Sequence, residues 1–252
     1  MALEDRKQWL ETRRSRPGVQ VEGANGPARG NRFGEAVVQP IMGSKMYGLL
    51  EEGSYFIAQN ATPQTAIAGH AAPVVADLYT KPYVHLRNNN TTANGTRMYL
   101  DFICLEVTAA GAGATNATWA AELDSGASRY SSGTVVTLSA IVPNLQSSDT
   151  SNAQIYIGPT VASAATASAR EIGHGNLRTV VPVVGDRYLW DFGNTDKNLG
   201  SMIVGGTAVA NIVVPMPPVI LGPTDQFLLH LMGVSQSGAH SYEVRMGWWE
   251  RP

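Results

Sequence analysis

The strongest constraint on the fold is a pair of apolar segments, residues 226–234 and 241–249, separated by a polar stretch at 235–240. In the second segment apolar and polar side chains alternate with a period of two, which is typical of a strand with one buried face. The first segment is apolar on both faces and predicts a strand that is covered on both sides. Because the connecting loop is short and contains Gly238, the two segments predict a β-hairpin.

Strand-like segments recur through the rest of the chain, separated by turn-forming residues, and no alternation of strands with helices indicates a parallel α/β fold. This pattern predicts an all-β fold, either an antiparallel β-sandwich or a jelly-roll-like barrel, in a single domain over residues 35–252. Residues 97–108 form the strongest of these segments and are expected at the centre of a sheet. The other predicted strands cover residues 36–39, 54–59, 74–78, 83–87, 117–123, 134–142, 153–157, 177–184, 187–192 and 208–214.

The first 34 residues differ from the rest in charge and composition, and we treat them as an N-terminal arm. They hold seven basic and four acidic residues, about +3, whereas the remainder holds 11 basic and 16 acidic residues, about −5. Residues 2–16 predict a short charged helix, and residues 17–34 are too poor in apolar side chains to fold alone. The arm is therefore either a disordered tail or an extended arm that becomes ordered on a neighbouring subunit. In the second case its apolar anchors and ion-pairing arginines are Trp9, Leu10, Arg13, Arg14, Arg16, Arg29, Arg32 and Phe33.

Charge and apolar patterning argue against several classes of partner. The net charge of −2 gives no general attraction to nucleic acid or to acidic membranes, so we expect no sequence-specific nucleic-acid binding. The longest apolar run, residues 208–221, is interrupted by Asn211 and three prolines, and no membrane association is expected. Charged residues make up only 15% of the chain, which indicates that partners cover part of the surface.

Motifs that would indicate catalysis are incomplete. The sequence Gly-Val-Ser-Gln-Ser around Ser235 lacks the last glycine of a nucleophile elbow, and a strand instead of a helix follows it. No two histidines have metal-ligand spacing. His230 alternates with apolar residues and is predicted to be a core or interface histidine with satisfied hydrogen bonds, whereas His174 lies between glycines in a predicted loop and is the one histidine kept as a site candidate. We therefore expect no catalytic, cofactor-binding or metal-binding residues and no enzymatic activity.

Two adjacent tryptophans, Trp248 and Trp249, end the last alternating segment. Neighbouring residues of a strand point to opposite faces, so at most one of the two rings can form an aromatic platform for a sugar. Core packing or a subunit contact is the favoured interpretation, and both residues are kept as possible interface positions.

Three segments resemble structural proteins of tailed bacteriophages: residues 48–60 (GLLEEGSYFIAQN), residues 82–88 (PYVHLRN) before an apolar strand, and residues 241–251 (SYEVRMGWWER). The resemblance implies a virion component of the head, that is, an accessory, cement or decoration protein. Such proteins are generally oligomeric β folds that clamp neighbouring capsid subunits, often through an extended arm. The resemblance assigns no functional residue.

The resemblance implies partners among the virion subunits, with the major capsid protein first, and a homo-oligomer that is a trimer or a dimer. It places the protein in the capsid of the virion after synthesis in the host cytoplasm. Three alternatives stay open: a tail or receptor-binding appendage with a carbohydrate-binding β domain, a hydrolase that assembles around His174, and a major shell subunit of the β-sandwich type.

Overall fold

The computed structural model describes residues 53–62, 65–73, 79–92, 95–133, 136–145, 147–193 and 208–251. All of these residues belong to one compact unit, Met46–Pro252. Within the described ranges the chain forms 15 strands and no helix, which confirms the all-β prediction. The predicted N-terminal arm and the predicted strands at 36–39 and 74–78 lie outside the described residues.

The strands vary from two to thirteen residues in length. They are β1 (Tyr55–Gln59), β2 (Ile67–Ala68), β3 (Val84–Asn88), β4 (Arg97–Ala109), β5 (Ala117–Asp124), β6 (Tyr130–Gly133), β7 (Val136–Thr137), β8 (Ala153–Ile157), β9 (Thr160–Ala162), β10 (Arg170–Arg178), β11 (Arg187–Phe192), β12 (Asn211–Met216), β13 (Ile220–Leu221), β14 (Gln226–Met232) and β15 (Ser241–Arg251).

The strands form two large sheets and one small one. The seven-stranded sheet has the order β1-β15-β4-β11-β12, with β2 paired to β15 and β13 paired to β4. The six-stranded sheet has the order β10-β5-β14-β3-β8-β7, and β6 pairs with β9 in a two-stranded sheet. Among the described pairs, β11 and β12 are parallel and the others are antiparallel.

The core lies between the inner faces of the two large sheets, in the arrangement of a β-sandwich. Aromatic rings from opposite sheets meet edge to face, which is a favourable geometry for such pairs. The ring centroids are 6.0 Å apart in Trp119–Trp190, 5.5 Å apart in Phe192–Phe227 and 5.0 Å apart in Tyr83–Tyr242.

The predicted hairpin at the end of the chain is wrong, although both of its strands exist. β14 lies between β5 and β3 in the six-stranded sheet, and β15 lies between β1 and β4 in the other sheet. The loop at 233–240 therefore crosses from one sheet to the other. It is fixed there because the amide groups of Ser237 and Gly238 donate to the carbonyl of Ala112, at 2.7 and 3.1 Å.

Residues 97–108 are confirmed as the centre of a sheet, since β4 pairs with both β15 and β11. Its inner face is buried, as at Ile103 and Leu105, and its outer face is only half-buried. The register with β15 shifts between Gly247 and Trp248, which leaves Asp101 as the extra residue of a β-bulge.

Two other predictions need correction. Within 134–142 only Val136–Thr137 forms a strand in the described residues. The strand predicted at 177–184 ends at Arg178 and begins earlier, at Arg170. The glycine-rich composition of β10 concealed it, and glycine is required there because a Cβ atom at Gly173 would lie 2.9 Å from Cη2 of Trp119.

Candidate functional site

The outward side of the seven-stranded sheet carries aromatic rings beside charged side chains. We call the outward-facing residues of β1, β15, β4 and β11 the outer face. Tyr55, Trp249 and Tyr99 stand opposite one another on three adjacent strands of this face. The rings of Tyr99 and Trp249 are stacked, with centroids 5.7 Å apart and planes 4° apart, and both residues are half-buried. Outward sheet faces are usually polar, so this aromatic row marks the outer face as a candidate interaction surface.

A glycine allows one ring of this row to reach across a strand. Tyr55 on β1 donates a 2.9 Å hydrogen bond to Asp101 on β4, so the phenol crosses β15 between them. The crossing passes over Gly247, where a Cβ atom would meet the Tyr55 hydroxyl and would lie 2.6 Å from Cε1 of Phe102. Burial first, and then the Asp101 carboxylate, raise the pKa of Tyr55.

Charged side chains occupy the other end of the outer face. Glu106 and Glu243 stand directly opposite each other, which is unfavourable for like charges. Arg187 offsets this repulsion, because its Nε donates to Glu106 at 2.7 Å. The Arg245 guanidinium lies 5.8 Å from the centre of the Phe102 ring, a cation–π distance.

An open groove of about 340 Å³ runs between these charged residues. Its lining includes two carboxylates, two guanidinium groups and the thiol of Cys104, and burial raises the pKa of that thiol. The charged residues that line the groove are Glu106, Arg187, Glu243 and Arg245.

The outward side of the six-stranded sheet encloses a buried polar cluster around Arg129. This guanidinium donates to Glu122 at 2.7 Å and lies 3.3 Å from a carboxylate oxygen of Asp124, and all three side chains are buried. It also donates to the carbonyl of Ser163 at 3.1 Å and to the carbonyl of Tyr79. Arg129 therefore ties the carboxylates of β5 to two segments that pass over the sheet.

Asp124 is stabilised in its charged form by several donors. Burial alone would raise its pKa, but hydrogen bonds from Thr166, Ser125 and Ser168 hold the pKa below its ordinary value. The Thr166 and Ser125 amide groups donate at 3.0 and 2.8 Å, and the Ser168 hydroxyl donates at 3.0 Å. A carboxylate with this many donors remains ionised inside the protein.

Two histidines border this cluster. His230 is buried as predicted, but its hydrogen bonds are not satisfied within the described part of the chain, because neither ring nitrogen has a hydrogen-bond partner there. Its Nε2 is 3.7 Å from Glu122 Oε2, which is too long for a hydrogen bond. His85 Nε2 lies 2.9 Å from Gln226 Oε1, and burial lowers the pKa of His85 to about 4.

His174, the histidine singled out from the sequence, lies on β10 and not in a loop. Its side chain is 74% exposed, and its Nδ1 pairs with the Glu171 carboxylate, which also accepts a hydrogen bond from the Tyr79 hydroxyl. Hydrogen bonds from Tyr79 and His174 lower the pKa of Glu171, and the same bond from Tyr79 raises the pKa of Tyr79 to about 12. The hydroxyl group in this constellation is thus a tyrosine and not the serine that a hydrolase would use.

The two tryptophans point to opposite faces, as the alternation predicts. Trp248 is fully buried, lies 6.2 Å from the Phe56 ring, and donates its indole N–H to Glu250 at 3.0 Å. Its side chain cannot touch a partner, so its prediction as an interface residue is corrected to core packing. Trp249 lies on the outer face and remains a possible interface residue. The predicted arm residues, from Trp9 to Phe33, lie outside the described residues.

The sequence reasoning missed two buried polar networks that link the large sheets. Arg178 on β10 contacts both carboxylate oxygens of Asp186, at 2.5 and 2.6 Å, just before β11. Glu250 on β15 accepts hydrogen bonds from the amide of Asn152 at 3.0 Å and from the Ser151 hydroxyl, just before β8. Charged residues carry no local signal for burial, because their partners become neighbours only in the fold.

The described residues contain neither a candidate metal site nor a membrane-spanning helix. No group of three or more His, Cys, Asp or Glu residues there could hold a metal ion. No helix in that part of the chain is long and apolar enough to cross a membrane. Comparison of the chain with protein-family models, with curated proteins and with solved structures gave no match.

Proposed function

We propose that the chain is a non-enzymatic structural protein of a bacteriophage virion, which binds the capsid and stabilises it as a cement or decoration protein. The proposal rests mainly on the side chains of the outer face, which combine aromatic rings with arginines. Aromatic residues and arginine are enriched at protein–protein interfaces, and this face presents Tyr99, Trp249 and Phe102 beside Arg187 and Arg245. The three segments that resemble tailed-phage structural proteins support the same function.

The contacts between the two large sheets make the β-sandwich rigid, as a structural subunit requires. Arg178 and Asp186 connect β10 of the six-stranded sheet to the segment before β11 of the other sheet. Glu250 and Asn152 likewise connect β15 of the seven-stranded sheet to the segment before β8 of the six-stranded sheet. Two buried networks between the sheets resist sliding of one sheet over the other, because displacement would leave buried charges unpaired.

The proposed N-terminal arm, residues 1–34, adds contact area to a body over residues 35–252. With a charge of about +3 it is attracted to carboxylates on neighbouring subunits, while the body carries about −5. In this proposal the body forms a homo-oligomer on the capsid, and the arms reach the major capsid protein or other virion subunits.

Shell binding tests the proposal directly. Capsids that lack the protein are prepared from the phage that encodes it, the purified chain is added, and its occupancy and the melting temperature of the particle are measured. We expect saturable binding and a higher particle melting temperature, with lower occupancy after deletion of residues 1–34. A full-length chain that does not bind these capsids contradicts the proposal, and unchanged occupancy after the deletion contradicts the role of the arm.

A second candidate function, a carbohydrate-binding tail appendage, is favoured by the Tyr99–Trp249 stack, because sugars pack on half-exposed aromatic faces. A glycan array distinguishes the two functions. Specific glycan binding that Trp249→Ala abolishes, without binding to capsids, would support the appendage.

A further inference from the structure

We infer that the outer face is where two copies of the chain meet around a twofold axis. The inference deepens the proposed function, which requires an oligomer but does not say which surface forms it. A twofold contact places the same patch of both copies face to face, so the patch has to be complementary to itself. The charges, the groove and the aromatic row of the outer face meet this requirement.

The charges of the outer face balance. The face carries four basic and four acidic side chains, so a second copy that is rotated by half a turn can bring opposite charges together. This balance contrasts with residues 35–252 as a whole, which carry about −5. The basic residues are Arg97, Arg187, Arg245 and Arg251, and the acidic residues are Asp101, Glu106, Asp191 and Glu243.

The groove provides a place for side chains of the second copy. Arg245 is exposed, and it lines the groove together with Glu106, Glu243 and Arg187. In a twofold contact, Arg245 of each copy enters the groove of the other, where Glu243 supplies a carboxylate partner. The half-buried rings of Trp249 and Tyr99 add the apolar area that a stable contact requires.

A neutral patch favours a second copy over the basic arm of a neighbouring chain. The arm carries about +3 and is attracted most strongly to an acidic surface, whereas the outer face has as many arginines as carboxylates. Seating of an arm on this face is therefore the competing outcome that the experiment has to detect.

Sedimentation of the full-length chain tests the inference. We expect a dimer, or a larger assembly built from dimers, and we expect Arg245→Glu to raise the dissociation constant at least 10-fold. Reversing both charges, Glu243→Arg with Arg245→Glu, restores the complementary pair and recovers most of the association. Arg170→Glu is the matched control, because Arg170 is an exposed arginine on β10 of the other sheet, and it leaves the dissociation constant unchanged.

Cys104 gives a second readout that does not depend on the assembly size. It is the one cysteine of the chain, and it is half-buried in the lining of the groove. We expect a maleimide to label it several-fold faster in Arg245→Glu than in the unchanged chain or in Arg170→Glu, with circular dichroism confirming that each variant is folded. If deletion of residues 1–34 accelerates labelling and Arg245→Glu does not, the arm occupies the face and the inference is overturned.

A monomer at all concentrations, a trimer unaffected by Arg245→Glu, or equal effects of Arg245→Glu and Arg170→Glu would also overturn the inference. Its failure is separable from failure of the proposed function. A dimer that Arg245→Glu dissociates, but that does not bind capsids, keeps the inference and removes the function. A chain that binds capsids as a monomer overturns the inference and keeps the proposed function.

Discussion

Tyr55 and Asp101 are joined by a 2.9 Å hydrogen bond although a whole strand, β15, lies between their own strands. The contact exists because β15 has no side chain at Gly247 and because the β-bulge at Asp101 turns that carboxylate toward the phenol. The side-chain arrangement of the outer face thus depends on a backbone feature of the strand beneath it.

Substitution of Gly247 by alanine should destabilise the fold by about 1–3 kcal/mol, the usual cost of inserting a methyl group into packed space. The new methyl group meets the Tyr55 hydroxyl and the Phe102 ring. Urea unfolding measures the loss. In the double variant Tyr55→Phe with Gly247→Ala, removal of the hydroxyl should recover part of the loss. Strict additivity of the two substitutions would show that the hydroxyl is not what the methyl group displaces.

Replacement of Arg129 by methionine should cost about 3–5 kcal/mol, because it leaves the buried carboxylates of Glu122 and Asp124 without their cation. The matched control is Arg187→Met, which breaks an exposed pair with Glu106 and should change stability little. Thermal or urea unfolding provides the comparison. Equal losses in the two variants would mean that the Arg129 cluster is not a stabilising element.

The adjacent tryptophans should respond very differently to truncation. Trp248→Ala removes a fully buried ring and should cost about 3–5 kcal/mol in unfolding free energy, whereas Trp249→Ala should cost clearly less because its ring is half-exposed. Urea unfolding monitored by circular dichroism gives both values. A larger loss for Trp249 would contradict the assignment of the two faces.

Stability should fall on acidification because two histidines are buried in the neutral form. Burial lowers the pKa of His85 and of His240 from 6.5 to about 4. A pKa lowered by folding gives stability that is present above pH 6.5 and is lost as the pH falls toward 4, by up to about 1.4 kcal/mol per pH unit for each group.

Urea unfolding between pH 8 and pH 4.5 checks this pH dependence. In His85→Gln the amide can still donate to Gln226, and in His240→Asn the side-chain oxygen can still accept from the Gly111 amide, so both substitutions keep a hydrogen bond without a titrating ring. The double variant should lose less stability than the unchanged chain below pH 6.5. The same slope in both proteins would show that these two histidines are not responsible.

Period-two alternation predicted much of the fold because it reports directly which face of a strand is buried. The strands at 153–157 and 187–192 have the predicted bounds, and the alternation in β15 assigns Trp248 and Trp249 to opposite faces. Alternation does not identify the neighbouring strand, so it does not reveal that β14 and β15 lie in different sheets.

The candidate site was harder to predict than the fold. Tyr55, Tyr99 and Trp249 form a row only through the register of three strands that are far apart in sequence. Buried charges such as Arg178 and Asp186 look like surface residues until the fold supplies their partners. The glycines of β10 made this strand hard to recognise from the sequence. Glycine is needed there because the ring of Trp119, which is distant in sequence, packs against the strand.

The crossing between β14 and β15 also affects the order of assembly. β14 joins β5 to β3 and β15 joins β1 to β4, so an interior strand of each large sheet is synthesised after both of the strands that it joins. Until residues 226–251 emerge, four earlier strands have unpaired edges that can associate with other nascent chains. Slow folding is therefore expected, with chaperones protecting those edges during synthesis.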